Sequence, residues 1–260
     1  MSDIKTKYPI ILVHGVAVKD VLWIKAFGEI EAKLIEYGFD VFTAPTDSFG
    51  MIETNAEQLK TFIVKILKQT NSEKVNLICH SKGGLDSKYM IEELNMEDYI
   101  ASMTTLSTQF KGSIVASKVW DLPFFIKGFI AFWIDLFYRI LGDKSPNALK
   151  VCEQLRKTDV SMETVHFSNK IYCQSYSSSM NDTSDFLMII PSLIHKRWDN
   201  VSNDGLVSIE SSKFGEYKGD CFDVSMSHSH MIDLMASKDK KSVIYEFYIN
   251  LCKNLKDLGF

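Results

Sequence analysis

Val75-Asn76-Leu77-Ile78-Cys79-His80-Ser81-Lys82-Gly83-Gly84 is the stretch on which the fold turns. Val75 to Cys79 is short, β-branched and apolar apart from Asn76, as a buried strand requires, and the residues after Ser81 take up a helical period. Strand, tight turn and helix in that order form a nucleophile elbow. So sharp a turn crowds the positions two before and two after the serine, where small side chains are needed. Gly83 meets the demand on one side; Cys79 stands on the other, where glycine is usual, and is small enough to be accommodated. The helix that follows points its first backbone N–H groups and its positive end at the serine, so Ser81 is the candidate nucleophile.

Working outward, Ile10 to Val13 reads as an earlier buried strand and runs into His14-Gly15-Val16. A loop there supplies the second N–H of an oxyanion hole, so the candidate donors are the backbone N–H groups of Val16 and of Lys82, the residue after the serine. His14 reads as a loop-shaping residue and His80 as a flank of the elbow. Further apolar runs at Val41–Thr43 and Ile100–Leu106 read as strands, and two later ones are expected at Ile171–Tyr176 and Cys221–Ser225. Between them, Leu59, Phe62, Ile63, Ile66 and Leu67 recur at helical spacing, as do Ile244, Phe247, Tyr248, Leu251 and Leu255 near the end. The alternation predicts an α/β fold with a mostly parallel central sheet and helices on both faces.

The composition agrees. With 260 residues, 46% apolar and 24% charged, the chain has the profile of a globular protein, not of a disordered, collagenous or disulfide-scaffold chain. It reads as one domain spanning 1–260. A formal charge of −4 supplies no field to hold nucleic acid. Cys79, Cys152, Cys173, Cys221 and Cys252 are odd in number and irregularly spaced, so free thiols are expected and neither a disulfide framework nor a zinc site. The run from Tyr8 to Val13 is short, contains Pro9 and has no cleavage pattern after it, so it reads as a strand and not as a leader; with the free thiols, this makes a cytoplasmic location the expectation.

Trp120 to Leu141 breaks the alternation with a long aromatic stretch. Asp121, Lys127, Asp135 and Arg139 interrupt it, each costing about 2.5–3.5 kcal/mol at a bilayer centre, so a transmembrane helix is not expected. It reads instead as one or two very apolar helices broken near Pro123 and Gly128, either a core helix pair or, as the site motifs favour, an apolar lid inserted at about 114–160. Trp120, Phe124, Phe125, Phe129, Phe132 and Trp133 are its candidate substrate-facing residues.

A serine hydroxyl needs an imidazole to take its proton and a carboxylate to fix the imidazole's tautomer. Asn203-Asp204-Gly205 is a turn that exposes a carboxylate, making Asp204 the candidate acid, with Asp199 and Asp233 behind it. Of the histidines after Ser81, His166 and His195 come too early to follow an acid on a later strand. Ser227-His228-Ser229-His230 leaves two candidates that spacing does not rank.

In these blocks the chain resembles a bacterial triacylglycerol lipase of the α/β hydrolase superfamily, of the clostridial and bacillary type and more distantly the Pseudomonas type. The resemblance rests on Tyr8 to Gly15, Lys74 to Ile78, His80 to Asp86, Asn203 to Ser208, Ser227-His228 and Ile232 to Leu234. It implies an α/β hydrolase fold with a lid, a triad acting in the chain order Ser, Asp, His, and a histidine standing between a serine and an aspartate two residues on, which falls on His228. It also implies hydrolysis of a lipid ester through an acyl-enzyme, contact with a lipid–water interface through the lid, and no cofactor. A thioesterase, phospholipase or acyltransferase would use the same triad, and a hydrolase-like binding module without catalysis is the remaining alternative. The chain departs from the family in two places. Thr108-Gln109-Phe110-Lys111-Gly112-Ser113 stands where the family reads Thr-Pro-His-x-Gly-Ser, and His230 stands where Pseudomonas-type lipases carry an aspartate that helps hold calcium. Imidazole suits a hard cation poorly, so no metal is expected, although Asp182 and Asp185 lie in a suggestive stretch.

Overall fold

Ile10, Ile11, Leu12 and Val13 are all fully buried, and a strand apolar on both faces must be covered on both faces. In the computed structural model, which describes residues 5–21, 24–156, 170–182 and 184–260, this strand, β1 (Ile10–Val13), lies within a six-stranded parallel sheet. The other strands are β2 (Val41–Thr43), β3 (Val75–His80), β4 (Ile100–Leu106), β5 (Tyr172–Ser177) and β6 (Glu216–Asp220), in the spatial order β2-β1-β3-β4-β5-β6. Ile11 pairs with Leu77 and Val13 with Cys79, so β1 and β3 end side by side.

Alternate residues feed two cores. Ile11, Val13, Leu77, Cys79 and Met103 pack under α2 (Ile52–Thr70) and α3 (Lys82–Glu93), where Leu59, Ile63, Ile66 and Leu67 form the expected stripe. Ile10, Leu12, Ile78 and Leu106 pack under α1 (Ile30–Tyr37) and the C-terminal helix Lys238–Asp257 with its Ile244, Tyr248 and Leu251. The strand order reverses direction at β1, which places the crevice of an open α/β sheet outside the carboxyl ends of β1 and β3.

Among the described residues, three helices stand between β4 and β5: α4 (Ile114–Trp120), α5 (Phe124–Ile140) and α6 (Ala148–Arg156). The chain breaks before α5 at Pro123, as expected, but α5 runs through Gly128 without interruption. One glycine in a helix interior costs only about 1 kcal/mol relative to alanine, too little to break seventeen residues of helix. The rest of the expected insertion, beyond Arg156, lies outside the described residues, as does His166. The last strand also differs from expectation. It occupies Glu216–Asp220 and not Cys221–Ser225, because an edge strand has little apolar surface to reveal it, while Cys221 turns away after donating its N–H to Ser177. No helix among the described residues is long and apolar enough to cross a membrane. Two further helices, α7 (Ile189–Trp198) and α8 (Ile209–Ser212), precede β6, and the C-terminal helix is α9 (Lys238–Asp257).

Candidate active site

The elbow at the end of β3 is built from three close approaches. Ser81 has φ 55° and ψ −131°, a conformation that costs a non-glycine residue about 1–3 kcal/mol and persists only where the surroundings impose it. Here they do: Ser81 donates its N–H to the Leu106 carbonyl at 3.0 Å, and its own carbonyl accepts from Gly84 N–H at 3.0 Å and from the Thr108 hydroxyl at 2.8 Å. A Cβ on Gly83 would lie 2.5 Å from the Val13 carbonyl oxygen and 2.6 Å from that of His14. A Cβ on Gly15 would lie 2.6 Å from Ser81 Cβ and 3.0 Å from its Oγ. The loop after β1 and the start of α3 are thus pressed against the serine, and only glycine fits between them. Cys79, at the position where glycine is usual, turns its thiol into a gap beside Ser87, with Sγ 3.2 Å from Oγ. Burial pushes that thiol up to about 12, so it stays protonated.

The loop after β1 carries one candidate oxyanion donor, Val16, and the first residue of α3 carries the other, Lys82, whose N–H precedes the helical ladder. Neighbouring His14 shapes that loop as expected: its Nδ1–H donates to the Gly15 carbonyl at 2.9 Å, and Nε2 lies 3.2 Å from the Thr46 hydroxyl. Burial lowers its pKa, so the ring is neutral.

Asp204 and His228 come together from separate loops. His228 Nδ1–H donates to Asp204 Oδ2 at 2.7 Å, and the His228 backbone N–H donates to the Asp204 carbonyl at 2.8 Å. The other carboxylate oxygen accepts the N–H groups of Leu206 (2.9 Å) and Val207 (2.8 Å). Burial opposes the charge on Asp204, but the His228 imidazole and these two N–H groups outweigh it and hold the carboxyl below its ordinary range. The His228 imidazole is also met by His80, the chain neighbour of Ser81, with ring centroids 4.4 Å apart. His80 is buried, and burial holds its pKa well below the ordinary histidine value. A neutral His80 does not compete for the proton that His228 would take.

The alternatives lie elsewhere. Asp199 pairs with His195 at 3.0 Å, and Asp233 accepts from Glu29 N–H (3.0 Å) and the Tyr245 hydroxyl (2.8 Å). His230 stands with Nε2 4.0 Å from Asp185 and Nδ1 3.4 Å from Lys240 Nζ. Asp185 is already the acceptor for the hydroxyls of Ser227 and Ser229 and for Leu187 N–H, and Lys240 sits 3.6 Å from Asp182, so this stretch does not offer a hard cation an open set of oxygens. In the departing block, Phe110 is core, stacked on Phe214 at 4.1 Å, and Thr108 braces the elbow.

Several residues escaped the sequence reading. Lys82 Nζ and Asp86 form a fully buried ion pair at 2.6 Å on the first turn of α3, joined by Asn55 at 3.0 Å. Burial lifts the Asp86 carboxyl to about 6 against the pull of Lys82. The Lys82-x-x-x-Asp86 spacing is visible, but which helix face is buried is not. The far end of α5 is fastened to the loops of the site: Tyr138 donates to the Ala17 carbonyl at 2.8 Å, Lys19 pairs with buried Asp143 at 2.6 Å, and Asp47 accepts the N–H groups of Lys144 and Ser145. Of the aromatic residues expected to face substrate, Phe124, Phe125, Phe129, Phe132 and Trp133 are exposed, Phe124 at 75%. Trp120 is half-buried between Lys127, 4.0 Å from its ring, and Arg156, at 4.6 Å.

The family of lecithin:cholesterol acyltransferases matches residues 22–121. Triacylglycerol lipase 2 of Saccharomyces cerevisiae is 30% identical over 255 residues, covering 86% of this chain and 71% of that one. A triacylglycerol lipase of Pseudarthrobacter phenanthrenivorans is 35% identical over 122 residues, 45% of this chain and 38% of its own length. Among solved structures, lipase 1 from Pelosinus fermentans superposes over 98% of this chain and 100% of its own with a TM-score of 0.70 at 15% identity, a likeness of fold. With its parallel sheet and elbow, and a relative matched over most of both lengths, the chain belongs to the triacylglycerol lipases of the α/β hydrolase fold and is a carboxylic ester hydrolase.

Proposed function

We propose that the protein hydrolyses acyl esters of lipids, triacylglycerols foremost, through Ser81, His228 and Asp204. The observation that carries this reading is the 2.7 Å bond from His228 to Asp204, set against the residue next to the nucleophile. With Nδ1–H committed to Asp204, the lone pair of His228 is on Nε2, the nitrogen able to take the Ser81 proton. The serine oxygen attacks the ester carbonyl, and the N–H groups of Val16 and Lys82 receive the charge that develops on its oxygen. His228 returns the proton to the departing alcohol, and water, activated by the same imidazole, releases the acyl group. Asp204 compensates the imidazolium at each step.

The lipid character of the substrate is supported by α5, where Phe124, Phe125, Phe129, Phe132 and Trp133 form an exposed apolar face, 65% exposed at Phe129 and 53% at Trp133. In this reading α4 to α6 are the lid and that face meets a lipid–water interface. The match of residues 22–121 to lecithin:cholesterol acyltransferases favours, as a second reading, transfer of the acyl group to an alcohol other than water.

Ser81→Ala, compared with the wild type on a soluble p-nitrophenyl ester and on emulsified triacylglycerol, tests the reading. Loss of both activities and of fluorophosphonate labelling, with an unchanged thermal midpoint, is expected. Undiminished turnover would refute it, and an acylated alcohol among the products would select transfer over hydrolysis. Phe129→Ser with Trp133→Ser should depress turnover of the emulsion about tenfold while leaving the soluble ester within twofold.

A further inference from the structure

Beside the acid loop lies a half-open cavity of about 320 Å³, with the candidate triad absent from its walls. It lies between the start of α4, the end of α7 and the start of α8, and its lining includes Lys111, Ser113, Arg156, His195, Asp199 and Ser208. Its size is at the lower end of the roughly 300–1,000 Å³ typical of small-ligand sites.

Two observations mark it as built for a ligand. His195 is only 1% exposed, and while its Nδ1–H donates to Asp199 at 3.0 Å, its Nε2 is buried with no partner. The Arg156 guanidinium stands over the Trp120 ring at 4.6 Å, and its Nε is likewise buried without a partner. Buried nitrogens without partners are costly, on the order of 1–3 kcal/mol each, and both of these belong to residues that line this cavity. The charge balance says which kind. The two carboxylates at the cavity already have cations or donors of their own, Asp199 in His195 and Glu210 in Lys213 at 2.7 Å. Lys111 and Arg156 face the carboxylates of Asp199 and Glu210 across this lining, and Lys213 on Glu210 adds a third cation, so cations outnumber carboxylates there by one.

We propose that this cavity binds a phosphate group. A guanidinium, an ammonium and serine hydroxyls are the donors phosphate oxygens take, and Nε2 of His195 serves in either state: as imidazolium it donates to a phosphate oxygen, as imidazole it accepts from P–OH. Phosphate reaches the site free in solution or as the head of a phospholipid. The second source rests on the lipid hydrolysis proposed above and would extend its substrates to phospholipids; phosphate binding as such does not depend on it.

Calorimetric titration of the 260-residue chain with inorganic phosphate, and separately with dihexanoyl phosphatidylcholine below its micellar concentration, tests the proposal. Saturable phosphate binding is expected, weakened tenfold or more in both His195→Gln and Lys111→Gln, with thermal midpoints showing both variants folded. Absence of saturable binding, or binding equally strong in the two folded variants, overturns it. Lys111→Gln is the second variant should His195→Gln fail to fold. A phospholipid bound tenfold more tightly than phosphate, with a raised KM for phospholipid but not for the p-nitrophenyl ester in Lys111→Gln, assigns the lipid head; equal affinity assigns free phosphate. The titrations are repeated on Ser81→Ala, so a failure of the hydrolase reading would leave phosphate binding standing and the two results stay separable.

Discussion

Asp204 shows how one side chain joins stability to chemistry. Unfolded, its carboxyl titrates near ~3.9; folded, His228 and two N–H groups hold it lower. The native state therefore binds fewer protons than the unfolded chain in that window, so the carboxylate's contribution is intact above about pH 4 and is lost as pH falls through the folded value. Asp204→Asn should lower kcat about 10⁴-fold, by analogy with the aspartate of serine proteases, since the amide holds the wrong imidazole tautomer. Its stability deficit against the wild type should be greatest near neutrality and shrink below about pH 4, which denaturant titrations at several pH values would read. The placement of the proposed site residues was partly legible. The elbow at Ser81 was visible in the small residues about it and the turn at Asp204 in Asn-Asp-Gly, whereas proposing His228 over His230 required the family resemblance. Only three-dimensional packing decides that His228 meets Asp204 while His230 faces Asp185 and Lys240.

The elements β1, β3 and α3 meet so closely at Gly83 that a methyl group there has nowhere to go. Its nearest neighbours would be the carbonyl oxygens of Val13 and His14, which belong to the backbone and cannot rotate aside. Gly83→Ala should therefore drive α3 from β1, costing about 1–3 kcal/mol by analogy with overpacked cores and reducing ester turnover more than a hundredfold. A shifted denaturation midpoint together with lost activity would show it; an alanine variant with wild-type values for both would mean that the junction is slack. Element boundaries were legible wherever the apolar period was strong. α2 and α9 carry the stripes expected of them, and the sequence pattern failed at β6, whose residues alternate between exposed and half-buried. The fastening of α5 by Asp47 and Asp143 left no pattern to find, because the partners of those carboxylates are about a hundred residues away in the chain.

Taken as a whole, the molecule has one sheet between two apolar layers that share strands but not helices. Leu59 of α2 belongs to one layer and Leu251 of α9 to the other. Each truncation to alanine should cost about 2–5 kcal/mol, and because the sheet separates the two sites the double variant should equal their sum within about 0.5 kcal/mol. A larger departure in urea denaturation would reveal strain transmitted through the strands. The layered plan itself was readable from the alternation of runs and stripes, since each strand had to be apolar on both sides. At the far border of the sheet, β6 exposes Glu216, Lys218 and Asp220, with Lys218 and Glu216 paired at 2.7 Å. A neighbouring copy adding its own strand there would have to strip water from three ionised groups in a row, so the sheet is guarded at this margin against growth into a fibril.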